Sequence, residues 1–199
     1  METQPKPILR FLVNQLFILV LVFPDSSLVQ PTSGTIRTPR VTNWGDWGAM
    51  EMCQSGTVVT GFKLKTEESQ GSGDDTALNG IELHCGAIGS NTVVSNIRSS
   101  IGEWGTWGRD FPCSDGNVMT GFELRSEPSL GTEVDDTAAN NFASFCSIVK
   151  THDITELIAG DGQNWGDWGT PQHCPRGSAI CGISTQVEPP QGQDVTQGM

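Results

Sequence analysis

The sequence predicts an all-β fold in which three sheets surround a pseudo-threefold axis, and three observations carry this reading. First, the stretch Trp44-Gly45-Asp46-Trp47-Gly48 returns as Trp104-Gly105-Thr106-Trp107-Gly108 and as Trp165-Gly166-Asp167-Trp168-Gly169, at steps of 60 and 61 residues. All six tryptophans lie in these three copies. Second, short runs between the copies alternate apolar and polar residues, which is the period of a half-buried strand. Third, no apolar pattern of period 3.6 holds for a dozen residues beyond the N-terminal stretch. A unit of about 60 residues has too small a core to stand alone, so three of them should bury their apolar faces against one another.

The first stretch of the chain reads as a leader. Lys6 and Arg10 precede an apolar run from Phe11 to Phe23, and Ser26 and Ser27 follow it. A basic start, a short apolar run and small residues describe a secretory signal, assigned to residues 1–27. The run falls short of the ~20 residues that a membrane-spanning helix needs. Asn14 and Gln15 weaken it. Secretion follows from this reading, with no membrane span once the leader is removed.

The three copies then follow in order. In the first, Cys53 comes after the tryptophans, then Gly61-Phe62-Lys63-Leu64, Glu67, Asp74-Asp75-Thr76-Ala77-Leu78-Asn79 and Cys85. The second has Cys113, Gly121-Phe122-Glu123-Leu124, Glu127, Asp135-Asp136-Thr137-Ala138-Ala139-Asn140 and Cys146. The third has Cys174, Gly182-Ile183 and Glu188, and its Gln191-Gly192 echoes Gln70-Gly71. The match stops there, so the last sheet is expected to be incomplete. Phe62 and Leu64 against Lys63 and Lys65, and Ile81, Leu83 and Cys85 against Glu82 and His84, give the strand alternation. The domain is assigned to residues 36–193, in repeats of about 36–95, 96–156 and 157–193, with 194–199 as a loose tail. Each tryptophan motif is expected to open a sheet, its rings packing in the shared core rather than stacking on sugars.

Six cysteines in a secreted chain suggest a disulfide framework. Cys53 and Cys85 lie 32 residues apart, and Cys113 and Cys146 lie 33 apart, so the simplest pairing is within each repeat. Cys174 and Cys181 lack such partners. They pair with each other, stay free or bond another molecule, and free thiols are the preferred reading.

These residues closely resemble the vitelline membrane outer layer protein I family. Trp-Gly-x-Trp, Gly-Phe-x-Leu-x-x-Glu and Gly-Asp-Asp-Thr-Ala-Leu-Asn-Gly-Ile-x-Leu-x-Cys occur in the family's order, over about Ile36 to Gln193. The resemblance implies the β-prism I fold, three Greek-key sheets with pseudo-threefold symmetry. It also implies a structural role in an egg's outer coat beside mucin-type fibrils. An activity on N-acetylglucosamine oligomers has been suggested within the family. The departure is the truncated third repeat.

Charge and motifs narrow the function. A formal net charge of −12 argues against nucleic acid and anionic membranes as partners. No nucleophile elbow or Ser/Cys/His triad is present, so no catalytic residue is assigned. No spacing implies a metal or a cofactor. Asp74-Asp75 and Asp135-Asp136 read first as turn and capping residues, with a calcium or sugar site as the alternatives, because adjacent residues of a strand point to opposite faces. Glu67, Glu127 and Glu188 recur at the end of the same strand, either as rim carboxylates or as an acidic cleft near the axis. His84, His152 and His173 share no repeat position. The favoured function is a secreted structural protein of a coat or mucus layer that binds mucin-like glycoproteins without catalysis. The alternatives are a glycosyl transferase or hydrolase acting on N-acetylglucosamine oligomers, and a lectin-like module.

Overall fold

The computed structural model describes residues 34–39, 45–69, 76–128 and 137–188, together with the backbone of 13–22. Asp74, Asp75, Asp135 and Asp136 lie outside the described residues, as do the tail 194–199 and most of the leader.

Strands run β1 (Val13–Val22), β2 (Gly34–Arg37), β3 (Asp46–Trp47), β4 (Glu51–Met52) and β5 (Val58–Thr66). Then come β6 (Leu78–Gly86), β7 (Val93–Arg98), β8 (Thr106–Trp107), β9 (Phe111–Pro112) and β10 (Val118–Ser126). The last are β11 (Ala139–Ile148), β12 (Asp153–Ala159), β13 (Asp167–Trp168), β14 (Gln172–His173) and β15 (Ser178–Val187). Apart from a short 3-10 turn at Ser114–Gly116, the described residues hold no helix, and none is long and apolar enough to cross a membrane.

Three antiparallel sheets result, ordered β7-β6-β5-β8, β12-β11-β10-β13 and β2-β1-β15-β3, with β9, β14 and β4 also pairing with β5, β10 and β15. The central strands β5, β10 and β15 contact one another. Their inward residues and those of β6 and β11 make one core that includes Phe62, Leu64, Ile81, Leu83, Phe122, Phe142, Ile180 and Ile183. Phe142 meets Phe62 edge-on at 4.8 Å and stacks on Phe122 at 5.9 Å, which joins two sheets. Val58, Val118 and Ala179 hold the same place in their strands and gather in a cluster of their own. An all-β prism with a shared core is therefore what the alternating strands build.

The tryptophan motifs do not open sheets. The second and third close the sheet of the copy before them, β8 pairing with β5 and β13 with β10, and the first closes the sheet of the third, β3 pairing with β15. The hydrogen bonds recur at each joint. The backbone N–H groups of Gly108, Gly169 and Gly48 donate to the carbonyls of Leu64, Leu124 and Thr185, and those of Cys113, Cys174 and Cys53 donate to Thr60, Thr120 and Cys181. The side chains of Lys65, Arg125 and Gln186 donate to carbonyls of the incoming segment at Gly102 and Glu103, Gly166 and Gly45 respectively. The first glycine of each motif passes directly over the end of the central strand with φ of 68–81°, where a Cβ would overlap Thr66, Ser126 or Val187 backbone. Glycine is the residue that tolerates both conditions.

Nor are the described tryptophans core residues. Trp104 is 42% and Trp168 36% exposed, and Trp47, Trp107 and Trp165 are only half-buried. Their rings lie on the outer faces of the sheets because their short strands pair along the edge of the prism, where the indole N–H can stay hydrated. There they meet cations: Arg98 and Lys63 lie 5.0 and 5.6 Å from the Trp107 ring, and Arg125 lies 6.0 Å from Trp168.

Cys53 bonds Cys85, and Cys113 bonds Cys146. Each bridge ties a segment attached to one sheet to the second strand of the next. Cys174 and Cys181 are buried and take part in neither disulfide. In the third sheet, Val13–Val22 stands between β15 and β2, so this sheet is completed by the N-terminal segment. Among the described residues no strand follows β15.

Candidate functional site

Glu67 and Glu127 stand at the ends of β5 and β10, just past the last strand residue. The Glu67 carboxylate accepts the backbone N–H and hydroxyl of Thr76, and the Thr76 oxygen accepts from Asn79 Nδ2 at 2.6 Å. In the second copy Thr137 Oγ1 lies 3.2 Å from Glu127 Oε2 and 2.6 Å from the Asn140 amide. One hydroxyl hydrogen serves only one acceptor, so with the Asn140 amide turned as at Asn79 both copies run the same relay from Asn to Thr to Glu. The backbone closes around it, with Glu67 N–H donating to Ala77 and Glu127 N–H to Ala138. Ala77 adopts φ 47°, in the left-handed region, which lets the chain turn back at this point. These carboxylates therefore fasten the start of β6 and β11 to the end of β5 and β10. The spacing in the sequence held the signal for it, because a threonine follows each glutamate by nine or ten residues. Glu188 holds the matching place after β15, half-buried beside Gly45. The hydrogen bonds described for the Glu67 and Glu127 carboxylates stay within their own copies.

A second polar cluster, which the sequence did not single out, lies on the outer face of the first sheet. Glu82 on β6, one of the polar residues of the strand alternation, is fully buried. Register places Lys63 of β5 and Arg98 of β7 on either side of it. Lys63 Nζ lies 3.0 Å away, Arg98 Nε donates to the other oxygen, and Asn96 Nδ2 donates at 3.1 Å. Both cations also lie over Trp107, so they sit between an aromatic ring and a carboxylate. Burial alone would raise the Glu82 pKa, but hydrogen bonds and charge from Lys63 and Arg98 outweigh it and leave it below the usual glutamate range. The second sheet has nothing comparable, since Glu123 stands at the place of Lys63 and Ala143 at that of Glu82. Burial raises the Glu123 pKa.

His84, two residues along β6, turns Nε2 towards Glu82 at 3.5 Å and towards Asp110 at 3.4 Å. Burial lowers its pKa despite the two acids, which favours a neutral ring. Beside it opens a cavity of about 270 Å³ lined by Thr60, His84, Asn91, Val93, Pro112, Cys113 and Ser114. The space offers hydroxyl, amide and imidazole groups with two apolar walls. It suits a neutral polar ligand better than acid–base chemistry, because among the described residues lining it the one titratable group is this buried imidazole. His173 meets the Phe145 ring at a tilt of 58°, with centroids 4.7 Å apart, and does not line this space.

Residues 34–198 match the family model described as vitelline membrane outer layer protein I. The human vitelline membrane outer layer protein 1 homolog is 45% identical over 153 residues, covering 75% of this chain and 70% of its own length. The mouse homolog is 41% identical over 157 residues, covering 76% and 74% respectively. The chain belongs to the vitelline membrane outer layer protein I family.

Proposed function

We propose that this protein is a secreted structural component of an extracellular coat or mucus layer, acting by non-covalent association with mucin-like glycoproteins. The names of its human and mouse relatives refer to an egg's outer layer, and this reading extends that setting to the present chain. One observation carries the mode of action. The edge strands β7 and β12 expose apolar side chains, with Val93 and Val94 at 48 and 52% and Ile154 and Leu157 at 52 and 54%. An uncovered apolar strand at a sheet edge is a ready surface for another chain. The recurring glutamates argue in the same direction, because Glu67 and Glu127 are engaged in fastening strands.

Co-sedimentation with purified mucin fibrils tests this. Binding that falls when Val94 and Leu157 are both changed to lysine is expected, with the fold intact by circular dichroism. Full binding by that double variant would remove the edge-strand argument. Incubation with N-acetylglucosamine oligomers should leave their lengths unchanged. Products of new length that vanish in Glu67→Gln or Glu127→Gln would establish the enzyme reading instead. The cavity beside His84 favours one further reading, a lectin-like module. Saturable binding of a free sugar, lost in Asn91→Leu and without turnover, would support it.

A further inference from the structure

Three cations stand together on the outer face of the first sheet, in a chain whose formal net charge is −12. Lys63 and Lys65 alternate with the buried Leu64 on β5, and Arg98 of β7 lies across β6 from Lys63. Resting on the reading of this protein as a partner of mucin-like glycoproteins, we propose that this face binds an acidic sugar of such a glycan, one that carries a carboxylate or a sulfate ester.

The donors of this face are not used up. Arg98 gives Nε to Glu82, and no other hydrogen bond of its guanidinium is made among the described residues. Its two terminal nitrogens therefore keep their hydrogens for another acceptor. Lys63 Nζ meets the other oxygen of the same carboxylate. Lys65 Nζ donates to the carbonyls of Gly102 and Glu103, which bring no formal charge. Three positive charges thus stand against the single charge of Glu82, while Asp110 faces His84. Arg98 is exposed and Lys63 half-buried, so both can reach a ligand.

These cations are also held in place before any ligand arrives. Arg98 and Lys63 sit between the buried Glu82 carboxylate and the Trp107 ring. That ring lies over Gly80, where a Cβ would come within 3.4 Å of it. Side chains fixed in this way lose little freedom on binding, and the guanidinium fork matches the paired oxygens of a carboxylate or a sulfate.

The fold does not require the cluster. In the second sheet Glu123 takes the place of Lys63, Ala143 that of Glu82 and Ala159 that of Arg98, with the same strand pairing. A buried ion pair adds little stability over apolar residues of similar shape. Glu82 is therefore a positioning residue, which holds two cations with donors left over.

The test is calorimetric titration of the secreted protein with N-acetylneuraminic acid, sulfated galactose and plain galactose. Binding of either acidic probe is expected, and the one bound names the group. Binding of neither, or equal binding of plain galactose, overturns the site. Arg98→Lys keeps a charge beside Glu82 but loses the fork, and should weaken binding about tenfold. The triple variant Lys63→Glu, Glu82→Ala and Arg98→Ala carries the second sheet's own residues. It should form both disulfides and lose the binding. Lys150→Gln, which removes an exposed cation elsewhere, should bind as the parent does. Full binding by the folded triple variant, or an equal loss in Lys150→Gln, overturns the assignment. Co-sedimentation with mucin fibrils, before and after enzymatic removal of sialic acid and sulfate, separates this test from that of the coat reading. Fibril binding should fall on their removal. Undiminished binding overturns the site and leaves the association standing, whereas acidic-sugar binding without fibril binding does the reverse.

Discussion

Replacing Glu82 by glutamine separates its charge from its shape. The carboxylate accepts from Lys63 at 3.0 Å, from Arg98, and from Asn96 at 3.1 Å. Glutamine keeps one acceptor oxygen and turns an NH₂ towards a second donor, so one charge-assisted bond is lost, worth about 1.5–3 kcal/mol. Two effects reduce the cost. The buried charge is no longer desolvated, and Lys63 and Arg98, with 24 and 47% of their side chains exposed, can turn to water. A net loss of about 2 kcal/mol at pH 7 follows, or about 4–8 °C in melting temperature for a chain of this size. The pH dependence identifies the cause. The folded-state pKa of Glu82 is lowered from 4.5, so its stabilisation is present above that value and disappears as pH falls through the lowered one. Thermal unfolding of both proteins, disulfides intact, should show a gap that is widest at neutral pH and narrows below 4.5. A gap that stays constant down to about pH 3, or a variant as stable as the parent at pH 7, would refute the assignment of the energy to this ion pair.

Two further outcomes follow from the joints and the thiols. Gly166→Ala places a Cβ at φ 68° against the Ser126 carbonyl and should cost well over 1 kcal/mol by equilibrium unfolding in urea. A change within about 0.5 kcal/mol would mean that the tryptophan segment is free to lift away from its strand. Cys174 and Cys181 are buried, and burial pushes the Cys174 thiol far above its ordinary pKa. Alkylation of the native full chain should therefore be slow, with two thiols reacting promptly after denaturation without reductant. Rapid native labelling would contradict this burial.

The sequence carried the number of sheets and the inward residues, because both depend on local features. Phe62, Leu64 and their counterparts alternate along one strand, and the tryptophan copies count the units. It did not carry which sheet each tryptophan segment joins, since a constant step between copies is the same whether a segment opens its own sheet or seals the previous one. That choice is made by non-local bonds such as Gly108 to Leu64. The tryptophans were expected inside because they are large and recur. Their place outside follows from the edge position of β3, β8 and β13. Glu82 read as a polar position of an alternating strand, and only the meeting of Lys63, Arg98 and Trp107 from three other strands buries it. The part played by Glu67 and Glu127 was within reach through their fixed distance from a threonine. The composition of Val13–Val22 says nothing of its pairing with β15, which joins residues more than 150 positions apart.

The third sheet differs from the other two in how it is strung along the chain. The first and second are made from neighbouring stretches, whereas the third brings β3 and β4 from near the start against β15 from near the end, with Ser184 and Gln186 bonded to residues 136 and 141 positions away. It acts as the buckle of a belt. A pull on the two ends of the described chain loads this joint directly and leaves the other two sheets slack until it opens. Because β3 runs antiparallel to β15 with Asp46 opposite Val187, a pull on the two ends meets the bonds of this seam from that end, one after another. In a fibrous extracellular layer that is stretched, resistance to extension would therefore be set by this one seam.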